Sequence, residues 1–447
     1  MPDPSETLSI ARDLIAQAKR AGADAADVVV FDGSSLSASW RMGKLEDVER
    51  SEAADLGLRA FVGKRQAVVS STDLSPAALT PLVERVVAMA KVAPEDPYSG
   101  LADPALHAKD WPDLDLDDPA EPSAVELGER AAAAEAAGLA IQGVSNSGGA
   151  GAGFGRSRVV LATSLGFEGA YQGSSHSISC SMVAGDGTAM ERDYDFTSAR
   201  HLADLDDPTD IGRLAGEKAV RRLNPRKVSS QAVPVVYDPR VAGGLLGHFA
   251  GAISGAAIAR GTSFLKDLMG KAVFAPDISV VDDPHRRRGL RSKPFDGEGV
   301  ANRQMMLVES GVLTSWLLDT ATAKQLGLTS TGHGARGPSS PPSPSPTNLY
   351  MEPGKETPTE LMSGISAGFY ITELIGMGVN GVTGDYSRGA SGFWIENGEI
   401  AYPVSEVTVA GNLKDMFAHM RPASDLSFRY GTNAPTLLVE GMTVAGT

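Results

Sequence analysis

Apolar residues near the start of the chain, Leu8, Ala11, Leu14, Ile15 and Ala18, recur at helical spacing. They follow Asp3-Pro4-Ser5-Glu6, which offers a capping carboxylate, a first-turn proline and an early glutamate. The run stops at Gly22, so a first helix is predicted. The period then shortens to the runs Val28 to Phe31, Leu36 to Trp40, Leu45 to Val48, Leu56 to Val62 and Ala67 to Ser70. Gly33, Gly43 and Gly63 separate them, which predicts an antiparallel meander. Ser75-Pro76 caps a second helix whose inner side is Leu79, Leu82, Val83, Val86, Val87 and Ala90. Farther on, Ser123 with Glu126 caps an alanine-rich helix, and strands at 140–146, 152–163, 167–184 and 188–194 lead to a helix opened by Asp207-Pro208. Helix, strands, helix therefore occurs twice, which predicts an internal duplication.

Between the two units, residues 94–122 are rich in Pro and Asp and have little periodicity, as an exposed connection would. Beyond Pro225 the texture becomes glycine-bounded hairpins. Met305 to Val308 turns at Glu309-Ser310-Gly311 into Val312 to Leu318, and Leu437 to Val439 turns near Glu440-Gly441 into Met442 to Val444. The clearest hairpin joins Phe393–Ile395 to Ile400–Val404 through Asn397-Gly398, a pair suited to two positive-φ positions. Before it, Thr383 to Gly389 has the composition of a structured loop, and Gly337 to Pro346, GPSSPPSPSP, that of an irregular or polyproline loop. The expected class is α+β: a duplicated helix-plus-antiparallel-meander N-terminal region (1–93 and 123–225, joined by a linker at 94–122) and a β-rich C-terminal domain at 226–447.

Charge narrows the function. With 40 basic against 55 acidic side chains the chain carries −15, which disfavours direct contact with nucleic-acid phosphates. The basic cluster Arg286, Arg287, Arg288 and Arg291 beside His285 has no interleaved aromatics and reads as a solvated loop. Cys180 is the single cysteine, so disulfide and Cys-rich metal frameworks are excluded, and a reducing compartment fits. No signal-peptide pattern and no apolar run of about 18 residues occurs, so a cytoplasmic protein without membrane contact is expected.

Several strings imitate functional motifs. Gly364-Ile365-Ser366-Ala367-Gly368 satisfies G-x-S-x-G, but a capped helix at Thr357 to Met362 precedes it and a strand at Phe369 to Ile371 follows, the reverse of a nucleophile elbow. Gly148 to Gly155, GGAGAGFG, lacks phosphate-loop spacing and reads as a flexible turn. The aspartates of 103–118 lack calcium-loop spacing. Small residues line the helix that Asp238-Pro239 would cap, YDPRVAGGLLGHFAGAISG, as they do where backbone or ligand comes close.

The segment GVTGDYSRGASGFWIENGEIAYPVSEVTVAGNL at 381–413 resembles the PmbA (TldE) family, one arm of the TldD/PmbA metallopeptidase group. So do Gly57-Leu58-Arg59-Ala60, Gly63-Lys64-Arg65, Glu191 to Asp195, Asp282-Asp283-Pro284, Pro294 to Gly299 and Leu317 to Thr320. The resemblance implies a zinc-binding His-Glu-x-x-x-His helix in the sister TldD arm. Aligned through Arg260-Gly261-Thr262-Ser263, the corresponding window here is LGHFAG, with Leu246 and Gly251 at the histidine positions and Gly247 at the glutamate. None of the three can ligate zinc or take a proton, and His248 does not match a ligand position. The resemblance therefore implies a subunit with no catalytic residues and no cofactor of its own. Its TldD-type partner would carry the zinc and hydrolyse unfolded peptides. Asn348, Glu373, Asp385, Tyr386 and Arg388 are the candidates for a polar face near a shared cleft. Two alternatives stand beside this reading, a protein-binding module acting on gyrase or a toxin–antitoxin pair and an independent hydrolase using Ser366. Whether the isolated chain forms a homodimer is open.

Overall fold

The computed structural model describes residues 4–446. The first helix, α1 (Pro4–Arg20), carries Leu14 and Ala18 inward as its period requires; Asp3, expected to cap it, lies outside the described residues. Then come β1 (Ala25–Arg41), β2 (Lys44–Val62), β3 (Arg65–Ser71), α2 (Pro76–Val92), α3 (Ala124–Leu139), β4 (Val144–Thr163), β5 (Glu168–Ala184), β6 (Glu191–Ala199) and α4 (Pro208–Arg221). The predicted caps form: Ser75 accepts from Ala78 N–H, Ser123 and Glu126 make a reciprocal capping box, and Asp207 accepts from Thr209 N–H.

Both helix–strand units share one antiparallel sheet, ordered β3-β2-β1-β4-β5-β6. β1 and β4 join them, with Val28 opposite Ala162 and Leu36 opposite Phe154. The strands are longer than the sequence runs. Gly33 and the glycines of 148–155 lie inside β1 and β4 instead of forming turns, because their neighbours keep the alternation that seats Ala38, Ala150 and Ala152 against α3 and α4. Cys180 belongs to that core, where burial and then the Glu135 carboxylate push its thiol up to about 12.

Residues 94–122 depart from expectation. Leu101, Ala102, Ala108, Leu114 and Leu116 are buried, and their backbone bonds to both domains: Ala108 N–H to Gly299 O at 2.9 Å and Ser174 N–H to Leu116 O at 2.9 Å. The arginine cluster, though Arg287 stays exposed, pins this segment instead of forming a free loop, since Arg287 and Arg288 donate to Asp115 at 2.9 and 2.6 Å and Arg286 lies 3.4 Å from the Phe428 ring centre. The apolar residues interspersed among the aspartates outweigh their charge once arginines neutralise it.

In the C-terminal domain, β7 (Gln231–Tyr237) leads into α5 (Pro239–Ala252). Small strands follow: β8 (Val280–Asp282), β9 (Met305–Glu309), β10 (Val312–Leu313), β11 (Gly334–Ala335), β12 (Ser343–Pro344) and β13 (Leu349–Met351). The last group is β14 (Ala367–Ile375), β15 (Asp385–Glu396), β16 (Glu399–Asn412), β17 (Met420–Pro422), β18 (Thr432–Asn433) and β19 (Leu437–Ala445). β16, β15, β14, β7 and β19 are neighbours in one sheet, and β19 also pairs with β16, which closes five strands into a barrel. Asn397 and Gly398 take φ of 51° and 83°, the tight turn expected between β15 and β16. Two expectations fail here. Asp385 to Gly389 is strand, and Glu440-Gly441 is a bulge within β19 rather than a turn, because both flanks of the bulge pair with β7. The proline-rich loop reaches across to the N-terminal sheet. A side chain at Gly57 would collide with the Pro338 carbonyl, and Arg336 bonds to Asp27 at 2.6 Å.

Candidate functional site

Edge strand β6, the end of α4, the start of α5 and β14 enclose a cleft between the domains. Alternation on β6 turns Asp193 and Asp195 to one side and Tyr194 and Phe196 to the other. Asp238 caps α5 by accepting Arg240 N–H at 3.0 Å and Tyr370 Oη–H at 2.8 Å. This aims Arg240 at Asp193, where its two terminal nitrogens donate to the two carboxylate oxygens at 2.7 and 3.0 Å while Nε donates to Thr372 O at 2.7 Å. Burial alone would raise the Asp193 carboxyl, but Arg240 and Arg222 hold it below the usual range.

Two cavities flank this contact. One, of about 390 Å³, is walled by Tyr194, Phe196, Phe393 and Tyr430, with Lys218 and Arg429 at the Asp195 side. Burial, followed by the neighbouring Tyr194, pushes the Tyr430 hydroxyl up to about 12, so it stays a hydrogen-bond donor at neutral pH. Arg221 lies 4.9 Å from the Phe393 ring centre at the same cavity, on a solvent-exposed position. The second cavity, of about 320 Å³, is bounded by Arg222, Arg240, Gly244, Glu373 and Arg388.

The sequence candidates separate in this geometry. Glu373, bonded to Arg222 at 2.6 Å, and Arg388 meet at the second cavity. Tyr386 is buried, its ring 6.0 Å from that of His248 on α5. Asn348 and Asp385 are elsewhere. Asn348 accepts from Arg291 N–H at 2.9 Å and donates to Asp283 O and Ser292, so it fixes a buried loop; Asp385 is exposed and tied to Thr383 and Asn412. Asp193, Arg222 and Arg240 carried no site assignment in the sequence. Two acids in i, i+2 on a strand mark Asp193, and an arginine two residues after a helix cap marks Arg240; Arg222, just past α4, has no such signal.

The α5 window does not fit a zinc ion. Leu246 points into the core, and Gly247 and Gly251 offer no side chain. His248 is the imidazole at hand, and its pKa is lowered by burial and then by the Arg388 guanidinium, a cation where a metal site would need anions. Among the described residues no three His, Cys, Asp or Glu side chains converge as a metal site. The exposed side of α5 is open, because a Cβ added at Gly244, Gly247 or Gly251 would meet nothing within 4 Å. Ser366 follows the helix Pro358–Met362 and precedes β14, so its surroundings are those of a helix-to-strand turn. Among the described residues no helix is long and apolar enough to cross a membrane.

Residues 26–90, 112–223 and 230–446 match, in order, the PmbA/TldA metallopeptidase domain 1, central domain and C-terminal domain. The chain is 39% identical to Metalloprotease PmbA of Escherichia coli O157:H7 over 95% of its length and 92% of that protein. It is also 39% identical to a Metalloprotease PmbA homolog of Haemophilus influenzae, over 96% and 94%. A crystal structure from Bacteroides thetaiotaomicron, described as a candidate modulator of DNA gyrase, superposes with a TM-score of 0.90 at 28% identity and covers 99% of both chains.

Proposed function

Because the chain belongs to the PmbA/TldD metallopeptidase family, we propose that it is the subunit of a two-part peptidase that does not itself hold the catalytic zinc. One observation carries this reading: the α5 window presents Leu246, Gly247 and Gly251 where the group's zinc helix needs two imidazoles and a carboxylate. A TldD-type partner then supplies the metal, and the substrates are unfolded peptides. This chain contributes binding. The aromatic wall of Tyr194, Phe196 and Tyr430 suits apolar side chains, and Arg221 and Arg388 suit carbonyls or carboxylates of an extended backbone. The reducing environment implied by a lone buried thiol supports a cytoplasmic setting.

The test uses the purified chain alone and mixed with a zinc-bearing subunit of the family, with a denatured protein as substrate. Cleavage that needs both chains and stops with chelator is the expected result. Chelator-resistant cleavage by this chain alone refutes the reading and favours a separate hydrolase. Failure to associate with the zinc-bearing subunit favours the second reading, a protein-binding module of the kind suggested by the relative described as a candidate modulator of DNA gyrase.

A further inference from the structure

Strand β2 has two unlike halves. From Leu56 to Val62 it is paired on both edges, by β1 and β3, and its residues are mostly buried. From Lys44 to Asp55 it pairs with β1 alone, and among the described residues nothing occupies its outer edge. Lys44 to Ala53 are exposed on both faces, so the free edge runs for roughly 40 Å with every second N–H and C=O facing outward. The hairpin tip is nevertheless held, because Met42 and Gly43 N–H donate to the Glu135 carboxylate of α3 at 2.7 and 2.8 Å. A fixed edge costs an incoming strand less ordering than a mobile one.

The two faces beside that edge differ in chemistry. On the helix side, Val48 stands opposite Ala38 of the α3 core, and Leu45 lies against α3 at Gly128. Met42, Leu45 and Val48 remain 56%, 50% and 41% exposed. On the other side, Asp47, Glu49 and Ser51 stand opposite Ser39, Ser37 and Ser35, and beyond these lie Gly151, Gly153 and Gly155. Glu46, Asp47, Glu49, Glu52 and Asp55 oppose only Lys44 and Arg50 along the edge.

We propose that Lys44–Asp55 of β2 is a docking edge for an extended segment of another protein, a strand that alternates apolar residues with lysine or arginine. Its apolar side chains extend the Leu45–Val48 patch, and its cations meet Asp47 and Glu49 across the pair. A second copy of this chain is the poorer occupant, since it would bring the same excess of acids against itself.

The probe is a peptide of about twelve residues alternating Val and Lys, added to the full chain and followed by amide hydrogen exchange. Slowed exchange within 44–55 is expected. Peptides N-methylated on alternate residues should split, one phase binding and the other not, since only one peptide edge meets β2. The double substitution Asp47→Lys, Glu49→Lys should weaken binding about five- to tenfold and admit a Val-Glu peptide. No protection of 44–55, or protection indifferent to either N-methyl phase, overturns the proposal. So does a dimer of the chain alone that the double substitution dissolves. If the double variant does not fold, the N-methyl series on the unaltered chain decides.

Discussion

Two of the carboxylate–guanidinium contacts that tie the domains differ in their access to water. At one, Asp27 of β1 receives Arg59 of β2 at 2.5 Å and Arg336, just before the proline-rich loop, at 2.6 Å, with all three side chains almost wholly buried. At the other, Asp193 receives Arg240, and Arg222 reaches Glu373, whose side chain is 33% exposed, with a cavity on either side. The same chemistry serves two ends. Where water is excluded, an unpaired charge is so costly that the contact fixes how the domains sit. Where water enters, the pairs hold the cleft walls while leaving room for a ligand.

Breaking the dry contact should show the largest effect. Asp27→Asn takes from two buried guanidiniums the anion they are hydrogen-bonded to and is expected to cost about 3–5 kcal/mol in denaturant unfolding. Glu298, close to Arg59, sharpens the contrast through pH. Burial, then the Asp296 carboxylate, pushes it up to about 7 from an ordinary 4.5. A raised carboxyl favours the folded state while protonated, so that stabilisation is lost as pH rises from 4.5 through 7. Glu298→Gln, which still accepts Thr320 N–H, should flatten this limb and gain on the order of 2 kcal/mol at pH 8, read from melts across pH.

Effects at the wet contact should be smaller. Asp193→Asn is expected to cost about 1–3 kcal/mol, because the amide oxygen still accepts from Arg240 and Arg240 keeps its bond to Thr372 O. Glu373→Gln should cost less than about 1 kcal/mol, because Glu373 is 33% exposed and solvent replaces part of what it loses. Smallest is Gly247→Ala on the open face of α5, where nothing lies within 4 Å. A gain of about 0.5–1 kcal/mol from helix propensity is expected, and a loss would show that the face is not open.

The sequence made the helices legible because caps and period agree, as at Ser75, Ser123, Asp207 and Asp238. Strand ends were harder to read, since pairing overrides local composition. Gly33 and Gly151 look like breaks yet sit in a ladder whose neighbours dictate extended backbone. The cleft was half legible. Glu373 and Arg388 reached it, whereas Asn348 and Asp385 did not, because a polar residue in a loop reads alike whether it bonds its own loop or faces a ligand. Asp193 and Arg240 are 47 residues apart, and only folding brings them together.

Division of labour with a zinc-bearing partner requires that α5 hold no metal of its own. Elemental analysis of the purified chain, dialysed against buffer containing trace zinc, reads this out. Well under one zinc per chain and no change in melting temperature with chelator is the expected result; one tightly held zinc per chain, released with loss of stability, would overturn it.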